Sequence, residues 1–182
     1  MLTDTFIHSL RACGGEISTA DDCTLAESLA VLLHDEGLVV VTPELESLAA
    51  QLAEQGFNCR VATRAGVGNE GLEADLRKAG AAVTRGLVGV ARSGTVAVGP
   101  GGGNGGLLSA LPPRHVVLLR EEDIVDSLAQ AVEVVCEHFP ELGGEAVFIS
   151  GPSRTADIEM MSVIGVHGPL ELHVIVVERK AS

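Results

Sequence analysis

Aromatic residues are almost absent from this sequence of 182 residues: Trp and Tyr do not occur, and aromatics make up 2% of the chain. Proteins that bind single-stranded nucleic acid commonly stack its bases on aromatic rings, so this composition argues against such a partner. Hydrophobic residues nevertheless make up 46% of the chain. The core must therefore be built from Val, Leu, Ile and Ala, which is typical of buried strands covered by helices.

Basic residues are also few. The sequence has 12 Lys and Arg against 25 Asp and Glu, which gives a formal net charge of −13. A field of this sign repels phosphate backbones and anionic lipid surfaces, and we expect no nucleic acid and no membrane surface as partners. A small anionic ligand remains compatible with this charge, because nearby cations and backbone N–H groups act at short range.

Long apolar runs and paired cysteines are missing as well. No run approaches the ~18 apolar residues of a membrane span, and the N-terminus has no targeting pattern, so we expect a cytoplasmic protein without a membrane span. The four cysteines are Cys13, Cys23, Cys59 and Cys136. Without a C-x-x-C pair they predict neither a zinc site nor an iron–sulfur cluster in this chain.

What the sequence does contain is an alternation of helical and strand-like patterns, which predicts parallel β-α-β units with helices on both faces of a sheet. The expected strands are residues 38–41, 58–62, 81–84, 115–119, 146–149 and 171–178. The expected helices are residues 24–33, 43–56, 69–79, 107–111 and 124–139, after an N-terminal helical segment over residues 1–20.

Two apolar runs in the middle of the chain, residues 87–91 and 95–98, flank the three residues Arg92-Ser93-Gly94. This spacing predicts a central β-hairpin. The sequence therefore predicts a single domain over residues 1–182, an α/β three-layer sandwich with a mostly parallel sheet and a central β-hairpin.

Six of the eight residues 99–106 are glycine. Such a run predicts a loop, and glycine-rich loops can bind phosphates through backbone N–H groups. It is not a Walker A sequence, because no Gly-Lys-Ser/Thr follows. Its letters fit the dinucleotide motif, but no acidic residue ends a strand about 20 positions later. Alone, the run indicates a surface loop as readily as a ligand-binding loop.

A second candidate loop follows the expected strand at residues 146–149. Gly151 permits close approach of the backbone to a ligand. Ser153 and Thr155 supply hydroxyls, and Arg154 supplies a cation suited to a carboxylate or phosphate. If Ile158 begins a helix, Ser153 or Thr155 caps it and free N–H groups face the loop. The alternative is an ordinary capping turn with Arg154 in solvent.

Two histidines lie near the end of the chain. His167 stands in a turn before the last strand, where an imidazole can serve as an acid, a base or a donor to an anion, or can simply be exposed. His173 lies inside that strand and is expected to be structural. The sequence shows no nucleophile–histidine–acid set and no metal-ligand cluster, so the catalytic residues stay unknown.

Taken together, these segments resemble the LUD-domain family, and within it the lactate utilization protein C subfamily. The motifs that carry the resemblance are the stretches 151–159 and 165–169, the Ser93-Gly94-Thr95 turn with its glycine-rich sequel, and the opening stretch 10–16. The similarity covers nearly the whole chain. This sequence has Arg92 where many relatives have an acidic or polar residue, and its N-terminus looks short beside theirs.

The resemblance implies a fold similar to the sugar-phosphate isomerase and coenzyme A transferase superfamily. It also implies a role in oxidising L-lactate to pyruvate beside two partner proteins, at least one of which carries iron–sulfur clusters. The positions that match the family motif are Gly151, Ser153, Thr155, Asp157, His167 and Gly168. The positions expected to form the adjacent wall are Thr95, Gly101, Gly102, Gly103, Asn104 and Gly105.

Three functions fit these patterns. The first is a non-redox subunit of a lactate-oxidising system, which binds a small carboxylate or phosphate-containing ligand between the two loops and docks an iron–sulfur subunit. The second is a stand-alone transferase or isomerase that acts on a coenzyme A thioester or a sugar phosphate, although no glutamate nucleophile can be placed at a strand end. The third is a regulatory or scaffold protein that senses lactate without turnover.

Overall fold

The structure is a computed structural model that describes residues 1–62, 70–99, 105–138, 145–156, 162–164 and 168–179. The helices are α1 (Leu2–Ala12), α2 (Leu25–Leu33), α3 (Glu46–Glu54), α4 (Glu70–Leu76), α5 (Gly105–Ala110) and α6 (Leu128–His138). The strands are β1 (Glu16–Asp21), β2 (Leu38–Val41), β3 (Asn58–Val61), β4 (Ala81–Val90), β5 (Thr95–Val98), β6 (Arg114–Arg120), β7 (Ile124–Val125), β8 (Val147–Ile149), β9 (Arg154–Ala156), β10 (Ser162–Ile164) and β11 (Glu171–Glu178).

A mostly parallel sheet forms the centre of the molecule. Its strands follow the order β1-β11-β6-β4-β2-β3, and every neighbouring pair in this order is parallel. The ten-residue strand β4 continues past the parallel region, where it pairs antiparallel with β5, and β5 pairs antiparallel with β8. This topology confirms the predicted mostly parallel sheet with a central hairpin.

Helices cover both faces of the sheet because the strands are apolar on both sides. Val39 and Val41 of β2 share one core with Leu29 of α2 and Leu52 of α3. Val40 points to the opposite face, where helices α1, α4 and α5 contribute to the cores. Each such fully buried aliphatic side chain contributes about 1.5–3 kcal/mol relative to an exposed one. The three-layer α/β architecture predicted from the sequence is therefore confirmed.

The first 20 residues differ from the prediction. They were expected to form a helical segment, but only Leu2–Ala12 is helical, and Glu16–Asp21 forms the edge strand β1 beside β11. Ala20 is its only buried residue, and the other five are partly buried or exposed, in keeping with a strand at the edge of the sheet. This segment forms a strand because it pairs with the buried strand β11, and the local sequence pattern does not reveal that pairing.

The helix predicted over residues 124–139 begins later than expected. Ile124 and Val125 form the short strand β7 beside β4, and α6 starts at Leu128. The side-chain oxygen of Gln130 accepts hydrogen bonds from the backbone N–H groups of Asp126 and Ser127, each at 3.1 Å. The N–H group of Gln130 donates in return to the Oγ atom of Ser127 at 3.5 Å, and this reciprocal cap at Ser127 fixes the helix start at Leu128. Residue 139 lies outside the described residues.

One histidine is enclosed within the sheet. His115 on β6 is 0% exposed, and its Nε2 atom lies 2.9 Å from the Oγ1 atom of Thr84 on β4. Its Nδ1 atom has no hydrogen-bond partner among the described residues. Burial lowers the pKa of His115 to about 4, because the charged imidazolium would lose its hydration there. The imidazole is therefore neutral at neutral pH.

Candidate functional site

A cavity of about 360 Å³ lies between α5 and the loop that follows β8. Residues from α5, from β8 with its following loop, and from the segment before β11 form its walls. They are Gly106, Ser109, Ala110, Val147, Phe148, Ile149, Ser150, Gly151, Ser153, Gly168 and Pro169. We call this space the loop cavity. Its size suits a small organic molecule.

The wall at the end of β8 is fixed by a chain of three hydroxyls. The Oγ1 atom of Thr95 lies 2.7 Å from the Oγ atom of Ser93 and 2.7 Å from that of Ser150. Thr95 is buried, and the backbone carbonyl of Ser93 accepts a hydrogen bond from the Cys13 thiol at 3.5 Å. These contacts tie the hairpin turn, the end of α1 and the β8 loop together.

Gly151 holds the loop close to the end of α1. Its φ angle is +83°, in the left-handed region that favours glycine, and a Cβ atom there would collide with the backbone carbonyl oxygen of Cys13. The sequence analysis expected Gly151 to permit a close approach of the backbone. The structure shows the close neighbour to be the α1 terminus, while Gly151 also lines the loop cavity.

The opposite wall is held by backbone hydrogen bonds. The N–H group of Ser153 donates to the Pro169 carbonyl at 2.9 Å, and the N–H group of Gly168 donates to the Ala110 carbonyl at 3.2 Å. A Cβ atom on Gly168 would lie 2.9 Å from the Cβ of Ser153, so these two residues are in close contact. The described parts of the two family-motif segments, residues 151–156 and 168–169, therefore meet at the cavity.

The loop cavity is apolar with a few hydroxyls. Among its described lining residues none carries a charge, and Ser109, Ser150 and Ser153 supply its side-chain hydroxyls. The Ser109 hydroxyl donates to the Gly106 carbonyl at 3.0 Å. Such walls can orient a small polar molecule through hydrogen bonds, and a cation for an anionic ligand must come from residues next to the cavity.

The predicted site residues fall into three groups. Gly151 and Ser153 line the loop cavity, and Thr95 holds it from behind through Ser150. The backbones of Gly105, Arg154 and Thr155 are described, with Gly105 beginning α5. The predicted residues outside the described ones are Gly101, Gly102, Gly103, Asn104, Asp157 and His167.

The sequence analysis considered Ser153 or Thr155 as the cap of a helix, if one begins at Ile158. In the structure Arg154–Ala156 forms strand β9, which pairs antiparallel with β10. Thr155 lies opposite Val163 in that pair, and β-branched residues favour such cross-strand positions. Ile158 lies outside the described residues. The loop is therefore followed directly by strand β9.

The sequence analysis missed a second polar arrangement, at the start of β1 and β11. The Oγ atom of Ser18 lies 2.8 Å from Nε2 of His173, whose Nδ1 lies 3.3 Å from Oε2 of Glu16. Burial lowers the pKa of His173, while the Glu16 carboxylate acts to raise it. None of the three lines the loop cavity. The polar–apolar–polar alternation of residues 16–18 is typical of a strand and could have indicated this arrangement, but the segment was predicted to be helical.

Comparison with known proteins identifies the family. The LUD domain profile matches residues 3–177. The chain belongs to the LUD-domain family. Curated relatives called Lactate utilization protein C include one from Anoxybacillus flavithermus, 37% identical over 85% of this chain and 68% of that protein, and one from Geobacillus thermodenitrificans, 31% identical over 90% of this chain and 63% of that protein. The predicted LUD resemblance is confirmed.

Other members of the LUD family match over a shorter stretch. Lactate utilization protein C from Deinococcus radiodurans is 38% identical over 57% of this chain and 49% of its own length. The chain spans about half or less of the length of several such curated relatives. A crystal structure of a DUF162-family protein from Deinococcus radiodurans superposes with a TM-score of 0.74 over 97% of this chain and 96% of that chain, at 23% identity. This likeness supports the fold.

Two further observations concern the described residues of this LUD protein. No helix among the described residues has the length and apolar character needed to cross a membrane. In the same part of the chain, His, Cys, Asp and Glu side chains do not gather into a group of three that could hold a metal ion.

Proposed function

We propose that this chain serves in L-lactate utilization, as a subunit that binds a small carboxylate or phosphate-containing ligand in the loop cavity. It would work beside iron–sulfur partner proteins that oxidise L-lactate to pyruvate. The observation that carries this proposal is the 37% identity with a curated Lactate utilization protein C over 85% of the chain. The geometry adds support, because the family-motif residues Gly151 and Ser153 line one cavity.

The ligand chemistry follows from what surrounds the loop cavity. Hydroxyls of Ser150 and Ser153 provide hydrogen bonds, and the sequence places the cation of Arg154 next in the chain. A guanidinium suits the planar carboxylate of lactate or pyruvate, and it suits phosphate equally well. The proposed role is ligand binding, for which the described cavity wall supplies hydroxyl groups.

Ligand binding is tested by thermal unfolding with L-lactate, pyruvate, inorganic phosphate and coenzyme A. A ligand present at about one hundred times its dissociation constant stabilises the folded state by about 2.7 kcal/mol. Arg154→Ala should weaken the stabilisation by the carboxylates, and Arg11→Ala, which removes an exposed arginine on α1, should leave it unchanged. An unchanged response in Arg154→Ala would show that the loop cavity is not the anion site.

The role in the cell needs a separate test. Deleting the gene should impair growth on L-lactate, and restoring the chain should rescue it. A tagged chain from lactate-grown cells should co-purify with proteins that contain iron and acid-labile sulfide. Normal growth on lactate together with no co-purified partner would refute the subunit role. Exchange of an acyl group with acyl-coenzyme A by the isolated chain would instead favour a stand-alone transferase.

A further inference from the structure

A second crevice lies where the chain changes direction across the sheet. After β2 the chain runs through a short turn, Pro43–Leu45, and α3 to β3, on one side of β2. After β4 it runs through β5 and α5 to β6, which lies on the other side of β4. The carboxyl end of β2 lies beside Val83 of β4, close to Arg85 at the end of the parallel part of β4, and the connections after the two strands run to opposite sides. Such topological switch points open the crevices in which open α/β sheets bind ligands.

The structure has two adjoining cavities at this point, of about 380 Å³ and about 160 Å³. Glu44, just after β2, and Arg85, on β4, line both of them. The larger cavity extends to Asp123 and to α6, and the smaller one extends to Arg120 at the end of β6. We call the two together the switch-point crevice. It shares no lining residue with the loop cavity.

Two arginines on adjacent strands, Arg85 and Arg120, line the crevice. Arg85 lies opposite Leu118 in the β4–β6 pairing, and Arg120 lies two residues further along β6 on the same face. Arg120 forms an ion pair with Asp22 at 2.8 Å. Arg85 has no ion pair within the part of the chain that the structure describes. Like charges close together on adjacent strands are unfavourable, and an anion bound between them would relieve the repulsion.

Two carboxyl groups face the same space. Glu44 is exposed beside Arg85, and Asp123 is half-buried at the other side of the larger cavity. Burial raises the pKa of the Asp123 carboxyl, and the positive charge of Arg85 opposes this rise. Carboxyl groups accept hydrogen bonds from hydroxyls, so the crevice offers cations on one wall and acceptors on another.

We propose that the switch-point crevice is a ligand site for a small hydroxylated organic anion, whose carboxylate or phosphate is held by Arg85 and Arg120. Glu44 and Asp123 accept hydrogen bonds from the hydroxyl groups of this ligand. The local cations make an anion acceptable despite the net charge of −13 of the chain. Apolar residues such as Leu25, Leu45 and Val134 form much of the remaining walls, and His138 also lines the larger cavity.

The test is a titration of the whole isotope-labelled chain, followed through the arginine Nε–Hε signals in the NMR spectrum. The probes are L-lactate, glycerol 3-phosphate and inorganic phosphate, which separate a hydroxycarboxylate, a hydroxylated phosphate ester and a bare anion. We expect a saturable shift of the Arg85 signal with at least one hydroxylated probe. Arg85→Gln should weaken that binding about tenfold or more, since it removes the charge-assisted hydrogen bonds.

Two variants serve as controls. Arg11→Gln removes the same charge from an exposed position on α1 and should leave the affinity unchanged. Asp123→Asn should weaken the binding of a hydroxylated probe more than the binding of inorganic phosphate. Binding that Arg85→Gln leaves unchanged, equal weakening by Arg11→Gln, or no saturable shift with any probe would overturn the proposal. Arg154→Ala, which tests the loop cavity, should not affect the shift of the Arg85 signal. The proposal for the loop cavity and the proposal for the switch-point crevice can therefore be refuted independently.

Discussion

The Oγ1 atom of Thr95 lies 2.7 Å from the Oγ atom of Ser150, and this hydrogen bond joins the central hairpin to the loop that follows β8. The two residues are 55 positions apart in the chain. Thr95 is buried on β5, whereas Ser150 lines the loop cavity. The hairpin therefore serves as the rigid support on which the candidate binding loop is held.

A double-mutant cycle measures this contact. Thr95→Val and Ser150→Ala should each lower the free energy of unfolding. The loss in the double variant should be smaller than the sum of the two single losses by about 0.5–1.5 kcal/mol, the usual net value of one hydrogen bond. Urea unfolding of the four proteins gives the coupling. The control cycle pairs Thr95→Val with Ser109→Ala, whose hydroxyl bonds Gly106 instead, and should be additive. Additivity in the Ser150 cycle would contradict the contact.

The glycine at the start of the binding loop is expected to be intolerant of a side chain. Gly151→Ala should destabilise the protein by about 2 kcal/mol or more, because its φ of +83° is strained for alanine and the Cβ atom meets the Cys13 carbonyl. Gly37→Ala is the matched control, since nothing lies within 4 Å of a Cβ atom there. Thermal unfolding compares the two; equal melting temperatures would mean that the loop is not packed against α1.

The Ser18–His173–Glu16 contacts predict a directional effect on His173. Because the Glu16 carboxylate acts to raise the pKa of His173, Glu16→Gln should lower that pKa further. An NMR titration of the imidazole protons measures the change, and Glu54→Gln, on an exposed position of α3, is the control. No change in Glu16→Gln would rule out the contact. Rapid labelling of Ser18 by a fluorophosphonate would show that its hydroxyl is a reactive nucleophile. A hydroxyl that serves only as a structural hydrogen-bond partner of His173 would not react.

Much of the fold could be predicted because the inner strands have a local signature. Strands buried on both faces are continuous apolar runs, so Leu38–Val41 and Glu171–Glu178 were recognised with their observed bounds. The edge strand Glu16–Asp21 has a polar face and lacks that signature. The pairing of β9 with β10 depends on contacts across residues 157–161, and no single-segment pattern reports it.

The candidate site was predictable to a lesser degree. Gly151 and Ser153 stood out because glycine and hydroxyl residues after a strand are chemically distinctive, and the structure places both at the loop cavity. Arg85 had no such signal, because it directly follows the strand expected over residues 81–84 and resembled any residue at a strand end. Its importance depends on the strand order, which brings it beside Glu44 and Arg120, residues far from it in the chain.

The buried His115 makes the stability of the fold depend on pH. Its pKa is about 4 in the folded state, against 6.5 for an unperturbed histidine. Above pH 6.5 the side chain is neutral in both states and adds no pH dependence. As the pH falls below 6.5 the unfolded chain takes up the proton first, so the free energy of unfolding decreases until the folded state is protonated near pH 4.

His115→Gln removes this titration and isolates its effect. The free energy of unfolding of the unsubstituted protein, minus that of His115→Gln, should fall by about 3 kcal/mol between pH 7 and pH 4. Urea unfolding at a series of pH values measures the difference, which cancels the contribution of the other acids. His8→Gln, which removes an exposed imidazole, should give a curve parallel to that of the unsubstituted protein. If the His115→Gln curve is parallel as well, the imidazole is accessible to protons in the folded state and the packing around Thr84 and His115 is looser than the structure shows.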